Sequence, residues 1–171
     1  MIQVTIVGVR IEMPSNQPLV LLREAAGERH IPIWIGAAEA TAIALSEQGV
    51  VPPRPLTHDL LCGVVLALGH SIARVNLTKV EEGVFYAELV FDNGTTIGSR
   101  ASDAIAIAQR AGCPIWAAES LVEEAGVLIA SHDDDGGGEQ VSVEVDDEAK
   151  EREVRQFREF LDEVEPEDFD K

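Results

Sequence analysis

Apolar residues in the first third of the chain fall into three short, dense runs. "IQVTIVGVRIEM" (2–13), "PLVLLRE" (18–24) and "RHIPIWI" (29–35) are rich in β-branched and aliphatic side chains. The breaks between them, "PSNQ" and "AAGE", are polar and glycine-bearing turn material. This pattern predicts an antiparallel meander of three strands. Beyond Gly36 the composition turns helical in "AAEATAIALSEQ" (37–48), and Gly49 suits the left-handed position just past a helix end. A stiff stretch, "VPPRP", then leads into "THDLLCGVVLALG" (57–69). There Thr57 fits as N-cap, Leu60, Leu61, Val64, Val65 and Leu68 share one helical face, and Gly69 ends the helix.

The second half repeats the order. "SIARVNLTKV" (71–80), "GVFYAELVF" (83–91) and, past a "DNG" turn, "TTIGS" (95–99) read as strands. "SDAIAIAQRAG" (102–112) reads as a helix with Ser102 as N-cap and Gly112 after its end. A short strand "CPIWAA" (113–118) and a small helix "ESLVEEAG" (119–126) close the series. A local echo accompanies the order: "IGAAEATAIA" (35–44) resembles "IGSRASDAIAIA" (97–108), with two extra residues in the second copy. Each copy runs from Ile-Gly to an acid in the opening turn of an alanine-rich helix. Strands grouped ahead of helices predict an α+β domain over 1–130, a largely antiparallel or mixed sheet with helices packed on it.

The pattern changes after residue 130. "SHDDDGGGEQVSVEVDDEAK" (131–150) reads as an acidic, Gly/Asp-rich linker. In 151–171 helical periodicity returns, with Val154, Phe157, Phe160, Leu161 and Val164 on one stripe and Pro166 stopping it. This predicts a C-terminal amphipathic helix that covers its stripe on the domain or on a partner.

Charge separates along the same boundary. Residues 1–130 carry 14 acidic against 8 basic side chains, and residues 131–171 carry 17 against 5. Most of the net −18 therefore lies in the last quarter. No basic stripe marks a tight nucleic-acid binder, so work on a phosphodiester calls for a divalent cation or a local arginine pair. "MIQVTIVGV" shows no basic leader or cleavage site, and no apolar run approaches the roughly 18 residues of a membrane helix. Cys62 and Cys113, read as lying in a helix and a strand, have no metal-type spacing. These features predict a cytoplasmic protein without membrane contact.

The candidate chemistry sits at helix starts. Asp59, in the first turn after Thr57, matches the helix dipole, which accounts for it structurally. His58 is less easily explained that way. A cation is disfavoured at this end of a helix, which favours the neutral imidazole required of a general base or metal ligand. Prolines brace Arg54 just upstream. Ser102 and Asp103 make a second capped, dipole-matched start with Arg100 before it, and Glu39 is a third acid in the same setting. If these helix starts converge, Glu39, Asp59 and Asp103 could hold a cation while Arg54 and Arg100 clamp a phosphate. Read singly, each acid is a helix-start device. His30, His70 and His132 stand outside any such cluster, and no HExxH, CxxC, Walker, GxGxxG or GxSxG pattern is present, so no organic cofactor is expected.

Taken together, "IPIWIGAAEATAIA", "RPLTHDLL", "FYAELV", "SRASDAIAIAQRAGCPI" and "FREFLDEVEPEDF" resemble the bifunctional nuclease family, small bacterial and plant proteins assigned combined DNase and RNase activity. The resemblance covers residues 1–130 in order, and the closing segment looks like the extension found in many bacterial members. The block R-P-x-T-H-D-L is intact as Arg54, Pro55, Thr57, His58, Asp59 and Leu60. The block R-P-S-D-A departs at Ala101, where proline is usual, and matches at Arg100, Ser102, Asp103 and Ala104. The resemblance implies an α+β domain, usually a homodimer, with nuclease activity, and it carries over no settled catalytic set.

Two readings follow. In the first, the protein hydrolyses phosphodiester bonds of DNA and RNA with little sequence specificity. His58, Asp59 and Asp103 would be catalytic, Arg54, Thr57, Arg100 and Ser102 would contact substrate, and Glu39, Asp59 and Asp103 would hold Mg²⁺ or Mn²⁺. In the second, the same motifs are caps and contacts in a non-catalytic dimeric module that binds a ligand or a protein. The discriminating observation is whether Glu39, His58, Asp59 and Asp103 meet in space.

Overall fold

The computed structural model describes residues 1–129, and the expected linker and C-terminal amphipathic helix lie outside them. The chain begins with β1 (Ile2–Glu12), β2 (Gln17–Glu24) and β3 (Arg29–Trp34), then α1 (Ala37–Glu47) and α2 (Thr57–Ala67). A second meander, β4 (Ile72–Glu81), β5 (Val84–Phe91) and β6 (Thr96–Arg100), runs into α3 (Ala101–Ala111). β7 (Ile115–Ala117), α4 (Glu119–Ala125) and β8 (Val127–Leu128) complete the described residues. The fold is α+β, as expected, and both meanders form where the apolar runs place them.

The eight strands make one mixed sheet in the order β6-β5-β4-β7-β1-β2-β3-β8. Each meander is antiparallel within itself. They are joined by β7, three residues long, which runs antiparallel to β1 and parallel to β4. Its alternation decides what goes where. Ile115 and Ala117 enter the core, while Trp116 points to the opposite face of the sheet. β8 was not anticipated; two residues at the sheet edge carry too little pattern to read. A bulge between Ile6 and Gly8 interrupts β1, with Gly8 at φ +144°, a conformation open to glycine.

α3 is the buried helix of the domain. Ala104, Ile105, Ala106, Ile107 and Ala108 are all almost fully buried against Val75 and Leu77 of β4, Ala87 and Leu89 of β5, and neighbouring α1. The small alanines let it sit close to the sheet, and the isoleucines fill the remaining space. Gly112, at φ 65°, ends α3, and the Cys113 N–H closes back on the Ala108 carbonyl.

Two local expectations are corrected, at the helix caps and at Cys113. The N-caps are Leu56 and Arg100, each one or two residues before the expected Thr57 and Ser102, and neither side chain caps its helix. For α2 the Asp59 carboxylate does that work by accepting the Leu56 N–H at 2.8 Å. Cys113 lies in the connection between α3 and β7, not in a strand. The apolar stripe of α2 lies largely outside the core. Leu60, Leu61, Val64 and Leu68 are between 37% and 73% exposed, and Cys62 and Val65 alone pack against the core from this helix. α3 already covers the sheet, so α2 rests chiefly on α3 and turns the rest outward. No helix among the described residues is long and apolar enough to cross a membrane.

Ile105, fully buried between α3 and the sheet, provides a check on this core. Ile105→Ala is expected to lower unfolding free energy by about 2–5 kcal/mol in urea denaturation. The exposed Thr96→Ala should change it by less than about 0.5 kcal/mol.

Candidate functional site

Two of the three acid-bearing helix starts converge. Glu39 and Asp103 are each the third residue of their helices, α1 and α3, which pack side by side. Arg100, the residue before α3, bridges them. Its Nε donates to Asp103 Oδ2 at 2.7 Å, and its Nη2 donates to Asp103 Oδ1 at 3.0 Å and Glu39 Oε1 at 2.9 Å. The two acids hold this guanidinium firmly in its charged form, although its side chain remains 68% exposed.

His58, at the start of α2, reaches the same carboxylate across 45 residues of sequence. Its Nε2 stands 3.1 Å from Asp103 Oδ1, and the ring is largely buried. An ionised carboxylate has no proton to give, so Nε2 must carry the hydrogen of this bond. Asp103 is ionised: partial burial would raise its pKa, but hydrogen bonds from Arg100 and His58, with their charge, outweigh burial and leave it lowered. The other ring nitrogen, Nδ1, has no hydrogen-bond partner among the described residues. It is also absent from the buried unpartnered atoms of the described residues, which are His30 Nδ1 and Gln109 Oε1. The carboxylate that holds Nε2 thus also holds the exposed Arg100 guanidinium, and Nδ1 keeps its lone pair.

Asp59 belongs to a different set. It accepts from Arg110 Nε at 2.6 Å as well as from the Leu56 N–H. Burial works against its charged form, yet these two hydrogen bonds and the Arg110 charge prevail and lower its pKa. Arg110 is the residue that sequence reasoning missed. Its side chain is 8% exposed, and it also donates to the carbonyls of Ala106, at 2.9 Å, and Ala42, at 3.1 Å. One guanidinium therefore ties α3, α1 and α2 together. A lone arginine in the last turn of an alanine-rich helix reads as a dipole-matched surface charge, so nothing local marks it.

Of the remaining expected residues, Arg54 and Thr57 are exposed at the approach to α2, and Ser102 is half-buried at the second position of α3. Burial pushes the Cys62 and Cys113 thiols up, away from the thiolate form. Among the described residues no group of three or more His, Cys, Asp and Glu is placed to hold a metal ion. Glu39 and Asp103 already share Arg100, and Asp59 faces Arg110 instead. The carboxylates as arranged do not fit a common cation.

The constellation of His58, Asp103 and Arg100 lies within residues 20–130, which match the family model described as "Bifunctional nuclease domain". The chain belongs to the bifunctional nuclease domain family. Its sequence is also 50% identical over 167 residues to an uncharacterized protein of Mycobacterium tuberculosis strain CDC 1551, covering 98% of this chain and 97% of that protein. An uncharacterized protein of strain H37Rv matches to the same extent. In this bifunctional nuclease domain both motif blocks meet at one point: His58 comes from the first, and Arg100 and Asp103 come from the second.

The lowered Asp103 pKa sets a pH dependence. The folded carboxyl ionises more readily than the unfolded one, whose ordinary value is 3.8. Its stabilisation is therefore complete above that value and is lost as pH falls through the lower folded value. Asp103→Asn is expected to unfold at lower urea concentration than wild type at pH 7, with the gap closing below pH 3.8. Arg110→Ala, which strands Asp59 and two carbonyls, is expected to cost about 3 kcal/mol in the same measurement.

Proposed function

We propose that this domain is a phosphodiesterase acting on DNA and RNA with little sequence specificity. The observation that carries the reading is the His58–Asp103 hydrogen bond, which leaves Nδ1 unengaged by any described residue while Arg100 binds the same carboxylate. In this mechanism His58 Nδ1 takes a proton from water as its oxygen attacks phosphorus. Asp103 holds the ring and stabilises the imidazolium that forms. The bond from phosphorus to the leaving oxygen breaks, and the imidazolium returns the proton to that oxygen. Arg100, two-thirds exposed while anchored to two acids, offers its free edge to the non-bridging phosphate oxygens. Arg54, exposed at the same helix mouth, adds a second positive group for the substrate. Asp59 holds α2 in place and stays outside the reaction. A divalent cation bound between Glu39 and Asp103 would have to displace Arg100, and no step here depends on one.

A non-catalytic dimeric module is the second reading, favoured by one observation. Glu39, Asp59 and Asp103 are all neutralised by guanidinium groups, as a purely structural network would have them. In either case we expect a cytoplasmic homodimer. The outward apolar stripe of α2 is a patch that water-exposed monomers seldom present, and a second copy would cover it.

Cleavage of plasmid DNA and structured RNA, with Mg²⁺, with Mn²⁺ and with EDTA, separates the readings. His58→Ala is expected to reduce the rate about 10²- to 10⁴-fold, and Arg100→Ala to weaken substrate binding. Equal cleavage by wild type and His58→Ala, or none by either, would favour the module. The three ionic conditions report whether a cation enters. Leu68→Glu, on the exposed stripe, is expected to convert the dimer to monomer in sedimentation while leaving the circular dichroism spectrum intact.

A further inference from the structure

The face of the sheet turned away from α1 and α3 carries a cavity of about 370 Å³, in the range of small-ligand sites and at its small end. Strand alternation builds it. Val75 and Leu77 enter the core, so Asn76 between them faces the other side, with Glu88 its partner on β5 and Trp116 its partner on β7. Arg74 lies two residues before Asn76, and Met1 and Ala118 close the rim.

The polar groups here are arranged but not used up. Asn76 is only 8% exposed, a buried amide among apolar neighbours in its strand, and its Nδ2 donates to Glu88 Oε1 at 2.8 Å. That bond fixes the carboxylate and leaves Oε2 without a partner among the described residues. Arg74 has no hydrogen bond or ion pair among the described residues, and neither does the Trp116 indole N–H. A buried asparagine that orients an acid, next to an unpaired arginine and a half-buried indole, contributes little to folding that apolar residues would not. It suits a flat ligand with one donor edge and one acceptor edge.

We infer that this cavity binds a guanine base. Guanine alone among the common bases presents two neighbouring donors, N1–H and the N2 amino group, which a carboxylate accepts together. Its other edge presents O6 and N7, the pair that an arginine fork meets bidentately. Adenine and cytosine offer the carboxylate an amino group without an adjacent ring N–H, and uracil flanks its N–H with two repelling carbonyls. Trp116 supplies the stacking surface. Glu88 takes the donor edge, Arg74 takes O6 and N7, and Asn76 acts as the positioning residue for Glu88. The choice of a nucleobase among flat heterocycles rests on the nuclease reading, but binding here needs none of the cleavage machinery, which lies with the helices. The base could come from a free nucleotide or from a single strand.

Calorimetric titration of the full chain with guanosine, adenosine and uridine 5′-monophosphates, and with short single-stranded oligonucleotides with and without guanine, tests this. Guanine-containing probes are expected to bind at least tenfold more tightly than the others. Glu88→Gln, which keeps the shape and can still accept from Asn76, is expected to erase that preference with an unchanged melting temperature. Binding of the mononucleotide assigns a free-nucleotide site, and a preference seen with oligonucleotides alone assigns a strand-binding one. His58→Ala should keep the guanine preference, whereas a wild-type protein that binds guanine and cleaves neither DNA nor RNA overturns the nuclease reading and leaves this one standing. Equal affinity for all bases, or a guanine preference that survives Glu88→Gln, overturns the site.

Discussion

The position of α2 depends on one guanidinium. An apolar helix would ordinarily be held by its buried stripe, yet α2 has no fully buried residue. Arg110 takes that role from beneath. It is sequestered from water, it accepts no alternative partner, and it spreads its donors over Asp59 and the carbonyls of two other helices. A buried charge must be fully paired or it is severely destabilising, so the helices are constrained to the arrangement that satisfies it. His58 rides on the same first turn as Asp59. The contact between His58 and Asp103 is therefore inherited from the contact between Arg110 and Asp59.

The second guanidinium has a different character. The chain is built of two similar units, each a three-stranded meander leading into an alanine-rich helix, arranged outward in the sheet from the joining strand β7. Glu39 and Asp103 occupy the same position in the two helices, and side-by-side packing would set the acids against each other. The second copy of the echo is longer by two residues, and that insertion includes Arg100. The arginine removes the repulsion and, being mostly exposed, keeps an edge for an anion. One arginine is thus a buried structural tie and the other an exposed bridge, although both contact acids in first turns.

Much of the fold was legible from local pattern. The six long strands and four helices form within a residue or two of the apolar runs and glycine stops that predict them, because turn chemistry and periodicity act over only a few residues. The caps were misplaced by one or two positions at Thr57 and Ser102, since side-chain hydroxyls mark a helix start only when nothing else serves it. At α2 a carboxylate in the third position served instead. The stripe of α2 was legible as a stripe but not as an outward one. Whether an apolar face is buried depends on what already occupies the sheet, and here α3 does.

For the site, sequence alone determined which residue types stand at which helix starts: His58, Asp59, Arg100, Asp103 and Glu39 were all recognisable there. It also determined the two meanders and their α+β grouping. Tertiary structure decided the pairing. It joined His58 to Asp103, sent Asp59 to an unforeseen Arg110, and placed Arg100 where a cation shared by Glu39 and Asp103 was expected. It also decided that Trp116 should meet Asn76 and Glu88, because the short strand read at 113–118 lands parallel beside β4. The reason is the range of the forces: caps, turns and periodicity are settled by near neighbours, whereas a buried charge selects its partner from whatever the packed chain brings within reach.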